Sequence, residues 1–257
     1  MVHLKSVHIN QDRIPVNEYP FNLPIIKNLG SLAFHKQVTI LVGDNGTGKS
    51  TLLEAIASNS ESILIGGEAF DSELSVKLRD QLKLVWRIKT RKGFFFRAND
   101  FNHFINRLKD IKAESRQAIR DIKERDSNSL EVMPYARTLS DLERLYGQGL
   151  EVRSHGESFL DLFQARLQPD GLYILDEPEA PLSPLKQLTL ISMMKEMVQN
   201  NCQFIIATHS PILMAFPDAE ILSIQDGMLQ QATYDELEHV TLTRDFLNHP
   251  ERFLRHL

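Results

Sequence analysis

One cysteine, one tryptophan and no long apolar run mark this 257-residue chain. A single thiol, Cys202, leaves no internal disulfide to form, which fits a reducing compartment. It lies beside an apolar strand, where a buried structural thiol is expected rather than a reactive one. No stretch approaches the roughly 18 apolar residues that span a bilayer, and the opening MVHLKSVHIN lacks the pattern of a signal peptide. The expectation is a soluble, cytoplasmic chain with no membrane insertion of its own. A basic excess is missing too: 29 Lys and Arg stand against 34 Asp and Glu, for a net charge of −5. The chain as a whole therefore carries no electrostatic signature for nucleic acid or anionic membrane. Its length suits one large core, expected as a single α/β domain over 1–257.

Against that background the stretch Val38–Thr51, VTILVGDNGTGKST, stands out. It reads as an apolar strand, a glycine-rich turn and the first turn of a helix continued by Leu52, Leu53 and Ile56. Gly43, Gly48, Lys49 and Ser50 fit the spacing G-x-x-x-x-G-K-[ST]. Gly43, Gly46 and Gly48 let the backbone take positive φ and turn its N–H groups inward as an anion nest. Asp44, Asn45, Thr47 and Thr51 complete the loop around it. The positive end of the helix starting near Lys49 adds its dipole. Lys49 brings a full charge to the β- and γ-phosphates, and Ser50 offers a hydroxyl to Mg²⁺. The expectation is a nucleoside triphosphate site. Tyr19 and Phe21, a little over twenty residues before Gly43, are each placed either to stack on an adenine ring or simply to pack.

Two further apolar strands end in polar groups. LYILDE, Leu172–Glu177, brings Asp176 and Glu177 to a strand's carboxyl end, the ligand edge of a parallel sheet. Asp176 would hold Mg²⁺ through water, and Glu177 would polarise the attacking water as general base. An ordinary acidic strand end is the plain alternative, and the phosphate loop argues for the chemical role. QFIIATHSP, Gln203–Pro211, places His209 in the same way, to bond the γ-phosphate and the water. In SHGES, Ser154–Ser158, Ser154 is an N-cap and Glu157 completes a capping box, which explains the segment structurally. The same helix start, with Gly156 and a free hydroxyl, also reads as an anion site.

Around these motifs, Val2–Ile9 and a run from Ile14 punctuated by Pro15, Pro20 and Pro24 form an N-terminal part of antiparallel strands and loops. Residues 59–67 lead into a loop or strand, Val76–Lys89 reads as strand pairs, and Gly93–Arg97 as a buried strand. From Phe101 to about Asp126 the pattern turns helical, with a seam of Phe104, Leu108, Ile111, Ala118 and Ile122 interrupted by Ser115. A helical insertion is expected at about 98–150, with loops at Asp126–Ser129 and Gly147–Gly149. The last third alternates Leu172–Leu175, Leu185–Gln199, Gln203–Ala207 and Ile221–Ile224, hence a mostly parallel sheet flanked by helices. A final helix, Thr243–His256, is expected to cover the core rather than bind a partner. Lys89, Arg91, Lys92 and Arg97 surround Phe94–Phe96. The acidic total charge favours a core strand with a solvated end over a nucleic-acid surface.

Taken in order, GDNGTGKS, SHGES, LYILDEPEAPLSP and ATHSP resemble the motifs of ATP-binding-cassette (ABC) ATPases, over roughly residues 1–230. The chain looks like the soluble branch of AAA-family ATPases with an ABC-type core, related to structural-maintenance-of-chromosomes (SMC) and recombination-repair ATPases. The resemblance implies a P-loop NTPase fold, ATP and Mg²⁺ as cofactors, ATP hydrolysis, and a head-to-tail homodimer that sandwiches two ATP molecules. It implies that Ser154, Gly156 and Glu157 take the Ser, Gly and Gln positions of the signature, with His155 replacing its first glycine, against the opposite subunit's γ-phosphate. Glu177 matches the catalytic glutamate and His209 the switch histidine. Two positions depart from the pattern. Ser183 stands where many members carry Asp in the D-loop, here Glu179–Ser183. Arg97 stands where transporters carry the Q-loop glutamine, leaving Asn99 and Asp100 as candidates for that role. The implied function is an ATPase coupled to a protein partner or a nucleic-acid process. The alternatives are the nucleotide-binding subunit of a membrane transporter, and a switch in which turnover is incidental.

Overall fold

The computed structural model describes residues 1–10, 15, 17–66, 73–147, 149–150 and 154–255. In chain order the elements are β1 (Leu4–Ile9), α1 (Pro24–Asn28), β2 (Ser31–Ala33), β3 (Val38–Val42), α2 (Lys49–Asn59), β4 (Ile63–Ile65), α3 (Glu73–Arg79), β5 (Leu82–Trp86) and β6 (Gly93–Arg97). There follow α4 (Phe101–Arg125), α5 (Met133–Tyr146), α6 (His155–Arg166), β7 (Leu172–Asp176), α7 (Pro184–Gln199) and β8 (Gln203–Ala207). The chain closes with α8 (Pro211–Met214), β9 (Glu220–Gln225), β10 (Met228–Gln231), α9 (Glu238–Asn248) and α10 (Pro250–Leu254).

Strands that are apolar at nearly every position belong in the middle of a sheet, covered on both faces. β3, β7 and β8 are buried at all five positions. Among the described residues they form the centre of a seven-stranded sheet of order β10-β9-β3-β8-β7-β6-β4, parallel except for the β10–β9 hairpin. The order places β8 between β3 and β7, so the ends of all three converge on one edge. A second sheet, β2-β1-β5, is antiparallel. Gln203 at the start of β8 ties the two together: its Oε1 accepts from the His3 and Leu4 N–H groups, each at 2.8 Å, and its Nε2 donates to Leu4 O at 3.0 Å.

Side chains alternate between the two faces of the large sheet. Phe94, Phe96, Tyr173, Leu175, Phe204 and Ile206 point to one face, against α6, α7 and the start of α4. Phe95, Leu172, Ile174, Ile205 and Ala207 point to the other, against α2 and the small sheet. The first face is aromatic. Phe159 and Phe163 of α6 stack at 4.4 Å, and Phe96 meets Phe159 edge-on at 4.9 Å. Each fully buried ring contributes roughly 2–3 kcal/mol by burial, so α6 is firmly seated on the sheet.

Several expectations are corrected. Residues 76–79 belong to α3 rather than to a strand, because Leu78 joins Leu53 and Ile56 of α2 in one cluster. In α4 the buried stripe is Phe101, Ile105, Leu108, Lys112, Ser115 and Ile122. Ser115 continues this stripe instead of interrupting it, and Phe104, Ile111 and Ala118 lie at its margin. The last helix is two: α9 ends at Asn248 and α10 restarts at Pro250, whose ring excludes helical geometry at His249 (φ −141°). Ile14, Gly67, Gln148 and His256, which bounded or filled expected elements, lie outside the described residues.

Candidate active site

In the turn after β3 the expectation of positive φ holds for two of its three glycines; Gly43 does not take it, and its lack of a side chain instead admits Ile224, whose Cβ would stand 2.9 Å from a Cβ there. Gly46 and Gly48 take φ of +79° and +96°, where an L side chain is strained, and α2 begins at Lys49. The loop curls over the Lys49 ammonium, which donates to Gly43 O at 2.5 Å and to Asp44 O at 2.9 Å. Burial lowers the Lys49 pKa, opposed by Glu177 and Asp176. Ser50 donates to Asp176 Oδ1 at 3.0 Å. Asp176, at the end of β7, is 3% exposed, and burial pushes its carboxyl up to about 6 against the pull of Ser50 and Arg97. Thr47 donates to Asp44 O at 2.8 Å and shapes the loop.

Glu177 follows Asp176 with φ of +52°, a left-handed conformation uncommon for a residue with a side chain. Its N–H donates to Ala207 O at 2.9 Å, which holds the turn. A cavity of about 220 Å³ is lined by Tyr19, Asn45, Gly46, Gly48, Lys49, Ser50, Thr51 and Glu177. The phosphate loop and the acidic strand end thus share one space. Tyr19 is exposed and its hydroxyl lies 3.4 Å from Thr51 Oγ1. Phe21 is 2% exposed inside the core, so it packs and cannot stack on a base.

His209 is brought in by β8. Its N–H donates to Glu179 Oε1 at 2.7 Å, its Nε2 stands 3.8 Å from Glu177 Oε1, and its Nδ1 lies 3.1 Å from His239 Nε2. Burial lowers the His209 pKa, helped by Lys49 and His239. Burial raises that of Glu179, opposed by the His209 N–H. Ser210 caps α8 and donates to Gln187 Oε1 at 2.5 Å, which fixes the histidine loop to α7.

Arg97 sits in the same edge, paired in register with Asp176 across β6 and β7. Its Nη2 bonds Glu54 Oε2 at 2.6 Å, its Nε lies 3.5 Å from Asp176 Oδ2, and its Nη1 is 4.0 Å from Asp100. Burial works against the charged form, but Glu54, Asp176 and Asp100 together raise the pKa above its ordinary value. Asn99 lines a different cavity, of about 490 Å³, with His155 and Pro181. Phe94–Phe96 are buried, and Lys92 reaches Pro169 O at 3.2 Å, so the basic run is the solvated end of a core strand.

Ser154, His155 and Glu157 are exposed at the start of α6, and none of them lines the phosphate cavity. The capping box forms: the Glu157 Oε2 accepts from Ser154 N–H at 3.0 Å and Oγ–H at 2.6 Å. Lys186 Nζ adds a contact to Ser154 Oγ at 3.1 Å. Gly156 is closely covered: a Cβ there would stand 2.9 Å from both Pro181 O and Lys186 Cδ. Sequence reasoning missed Glu54, Lys186 and His239. Each is an ordinary residue whose partner lies far away in the chain, and no spacing announces it.

The fold and the loop-strand-histidine edge define a P-loop ATPase of the ABC-like class. Comparison with known proteins gives the family. Residues 85–215 match the family described as "AAA domain, putative AbiEii toxin, Type IV TA system", and the chain belongs to it. Residues 22–59 match a second AAA domain description. The cobalt import ATP-binding protein CbiO of Salmonella typhimurium is 24% identical over 88% of this chain and 84% of its own length. Among solved structures, the Smc head domain of Pyrococcus furiosus, bound to the C-terminal domain of ScpA, aligns with a TM-score of 0.51 at 13% identity. That alignment covers 96% of this chain and 100% of that one. The ATP-binding cassette MJ1267 of an ABC transporter also gives 0.51, at 17% identity over 100% and 99% of the two chains. These structural likenesses show the fold. No helix among the described residues is long and apolar enough to cross a membrane.

Proposed function

We propose that this ATPase works as a head-to-tail dimer that closes over two ATP molecules and relaxes after hydrolysis, within one ABC-type domain carrying a helical arm at about 98–150. Gly43–Thr51 cradle the triphosphate, with Lys49 neutralising the β- and γ-phosphates. Glu177 orients the attacking water, and His209 bonds the γ-phosphate. The single observation behind this reading is that Glu177 lines the same cavity of about 220 Å³ as Lys49 and Ser50. Ser154, His155, Gly156 and Glu157 serve the opposite subunit, a role supported by the exposure of Ser154, His155 and Glu157 away from their own chain's phosphate cavity. Tyr19 is the remaining candidate to stack on the base.

The donor set suits Mg²⁺: a serine hydroxyl and a buried carboxylate 3.0 Å apart beside the anion nest. Among the described residues no group of three or more His, Cys, Asp or Glu could hold a metal alone, so the cation would arrive with the triphosphate, on Ser50 and Asp176. When bound it supplies Lewis-acid stabilisation of the transferring phosphoryl group.

The work coupled to turnover is a cytoplasmic process involving a protein partner or nucleic acid. A transporter subunit is the second reading, favoured by the transport proteins among its relatives. Co-purification with membranes would support it, and stimulation of turnover by DNA or RNA the first. For the dimer itself, Glu177→Gln with ATP should elute as a dimer on a sizing column, while Lys49→Ala should lose nucleotide binding. A monomeric Glu177→Gln protein at saturating ATP sinks the sandwich.

A further inference from the structure

His239 lies outside every motif of the chain, yet it reaches the catalytic edge. It sits in the first turn of α9, between Leu237 and Val240, each 3% exposed, so its backbone is anchored in the core. Its Nε2 stands 3.1 Å from His209 Nδ1, and the two rings are 5.2 Å apart at 47°. It also lines a cavity of about 390 Å³ with Gly43 and Asp44 of the phosphate loop. The opposite ring nitrogen of His209, Nε2, is buried and has no hydrogen-bond partner in its own chain.

Two imidazole nitrogens this close must be one donor and one acceptor, since two N–H groups would repel and two lone pairs would leave both unsatisfied. Which one donates decides what the orphaned His209 Nε2 can do. A neutral imidazole carries its single hydrogen on one nitrogen, chosen by the bond that the other makes. Glu177 Oε1, 3.8 Å from His209 Nε2, asks for a donor there, and with His209 in its proposed role so would a γ-phosphate oxygen. Burial disfavours a second proton on the ring, Lys49 and His239 add to that, and Glu177 and Asp44 oppose it. His209 is therefore neutral at neutral pH, and its tautomer is the quantity to be set.

We infer that His239 is a positioning residue for the ATPase site: its Nε2–H donates to His209 Nδ1, which fixes the hydrogen of His209 on Nε2, aimed at the bound γ-phosphate. His239 touches neither substrate nor reacting atoms. It acts through His209 and links α9, in the carboxy-terminal part of the chain, to the phosphate edge. The inference rests on the proposed role of His209 at the γ-phosphate.

The direct test is the ¹⁵N–¹H correlation spectrum of the imidazoles in the nucleotide-free protein. His209 should be the Nε2–H tautomer in the wild type and a mixture in His239→Leu. An Nδ1–H tautomer in the wild type overturns the inference. The kinetic test compares His239→Leu with His239→Gln, whose amide N–H reaches about as far as the imidazole Nε2–H. His239→Leu should lose about tenfold in kcat with KM for ATP little changed, the size expected when an orienting partner is removed. His239→Gln should recover most of that loss. In a His209→Ala background, His239→Leu should cost nothing further, and a loss that persists there means a structural role and overturns the inference. A wild-type chain without turnover would instead overturn the reading of the site, and the tautomer measured without nucleotide would still decide the contact.

Discussion

Arg97 and Glu54 form a 2.6 Å ion pair that joins the end of β6 to the second turn of α2. The same guanidinium leans on Asp176 and Asp100, so one cation serves three carboxylates. Both partners are partly shielded, at 26% and 18% side-chain exposure. Arg97→Leu leaves Glu54 and Asp176 without their counter-charge and should lower stability by about 1–3 kcal/mol, or a few degrees in Tm. Thermal melts read this, and an unchanged Tm would mean that the pair is already solvated. The recovery expected of Arg97→Lys should be small, since a lysine cannot reach all three carboxylates with one planar fork.

Asp176 titrates at about 6 in the fold, above the ordinary 3.8 of an aspartate, chiefly because of burial. The folded state then holds a proton that the unfolded chain has released, so stability falls as pH rises from about 4 to about 6 and levels off above. Asp176→Asn removes this penalty, at most about 3 kcal/mol. The variant should gain Tm over the wild type at pH 8 and lose that advantage at pH 4, while losing Mg²⁺-dependent hydrolysis. A gain independent of pH would assign it to packing instead.

Gly156 has no room for a methyl group, with Pro181 O only 2.9 Å from the position of a Cβ. Gly156→Ala must push the start of α6 away from the loop before α7. Nucleotide affinity, measured by fluorescence titration, should stay within about twofold, because the phosphate cavity is untouched. ATP-driven dimerisation should fall by about tenfold or more if the sandwich forms through this surface.

Gly93 begins β6 at φ +119°, and a Cβ there would overlap the Leu172 carbonyl of the neighbouring strand. No rotamer relieves a clash with backbone. Gly93→Ala should cost more than about 3 kcal/mol and be seen as a poorly folded or low-melting chain by circular dichroism.

The sequence was most legible where backbone geometry and residue type coincide. The loop Gly43–Ser50, the strand ending at Asp176 and Glu177, and the capping box of Ser154 and Glu157 each satisfy a local rule, and each is found in its expected place. The parallel sheet followed from the same logic, because β3, β7 and β8 are apolar almost throughout. Legibility failed where tertiary packing decides. Phe21 and Tyr19 are close neighbours in the chain and equally aromatic, and only the fold sends one into the core and leaves the other at the loop. Residues 76–79 carry strand-like apolar spacing, yet the nearby face of α2 draws Leu78 into a helix. Contacts such as Arg97 with Glu54, or His209 with His239, join distant parts of the chain and obey no period.

Arg97, Asp176 and Ala207 are register partners across β6, β7 and β8, one row of a pleated sheet. A strand that gains or loses one residue turns every following side chain through the sheet. Shortening β6 by a single residue would swing the arginine away from Glu54 of α2 to the aromatic layer on the opposite face and leave the carboxylates alone in its place. The spacing between each strand's first residue and its last polar one is thus under the same constraint as the polar residues themselves, and length variation in this family is expected in the helical arm rather than in these three strands.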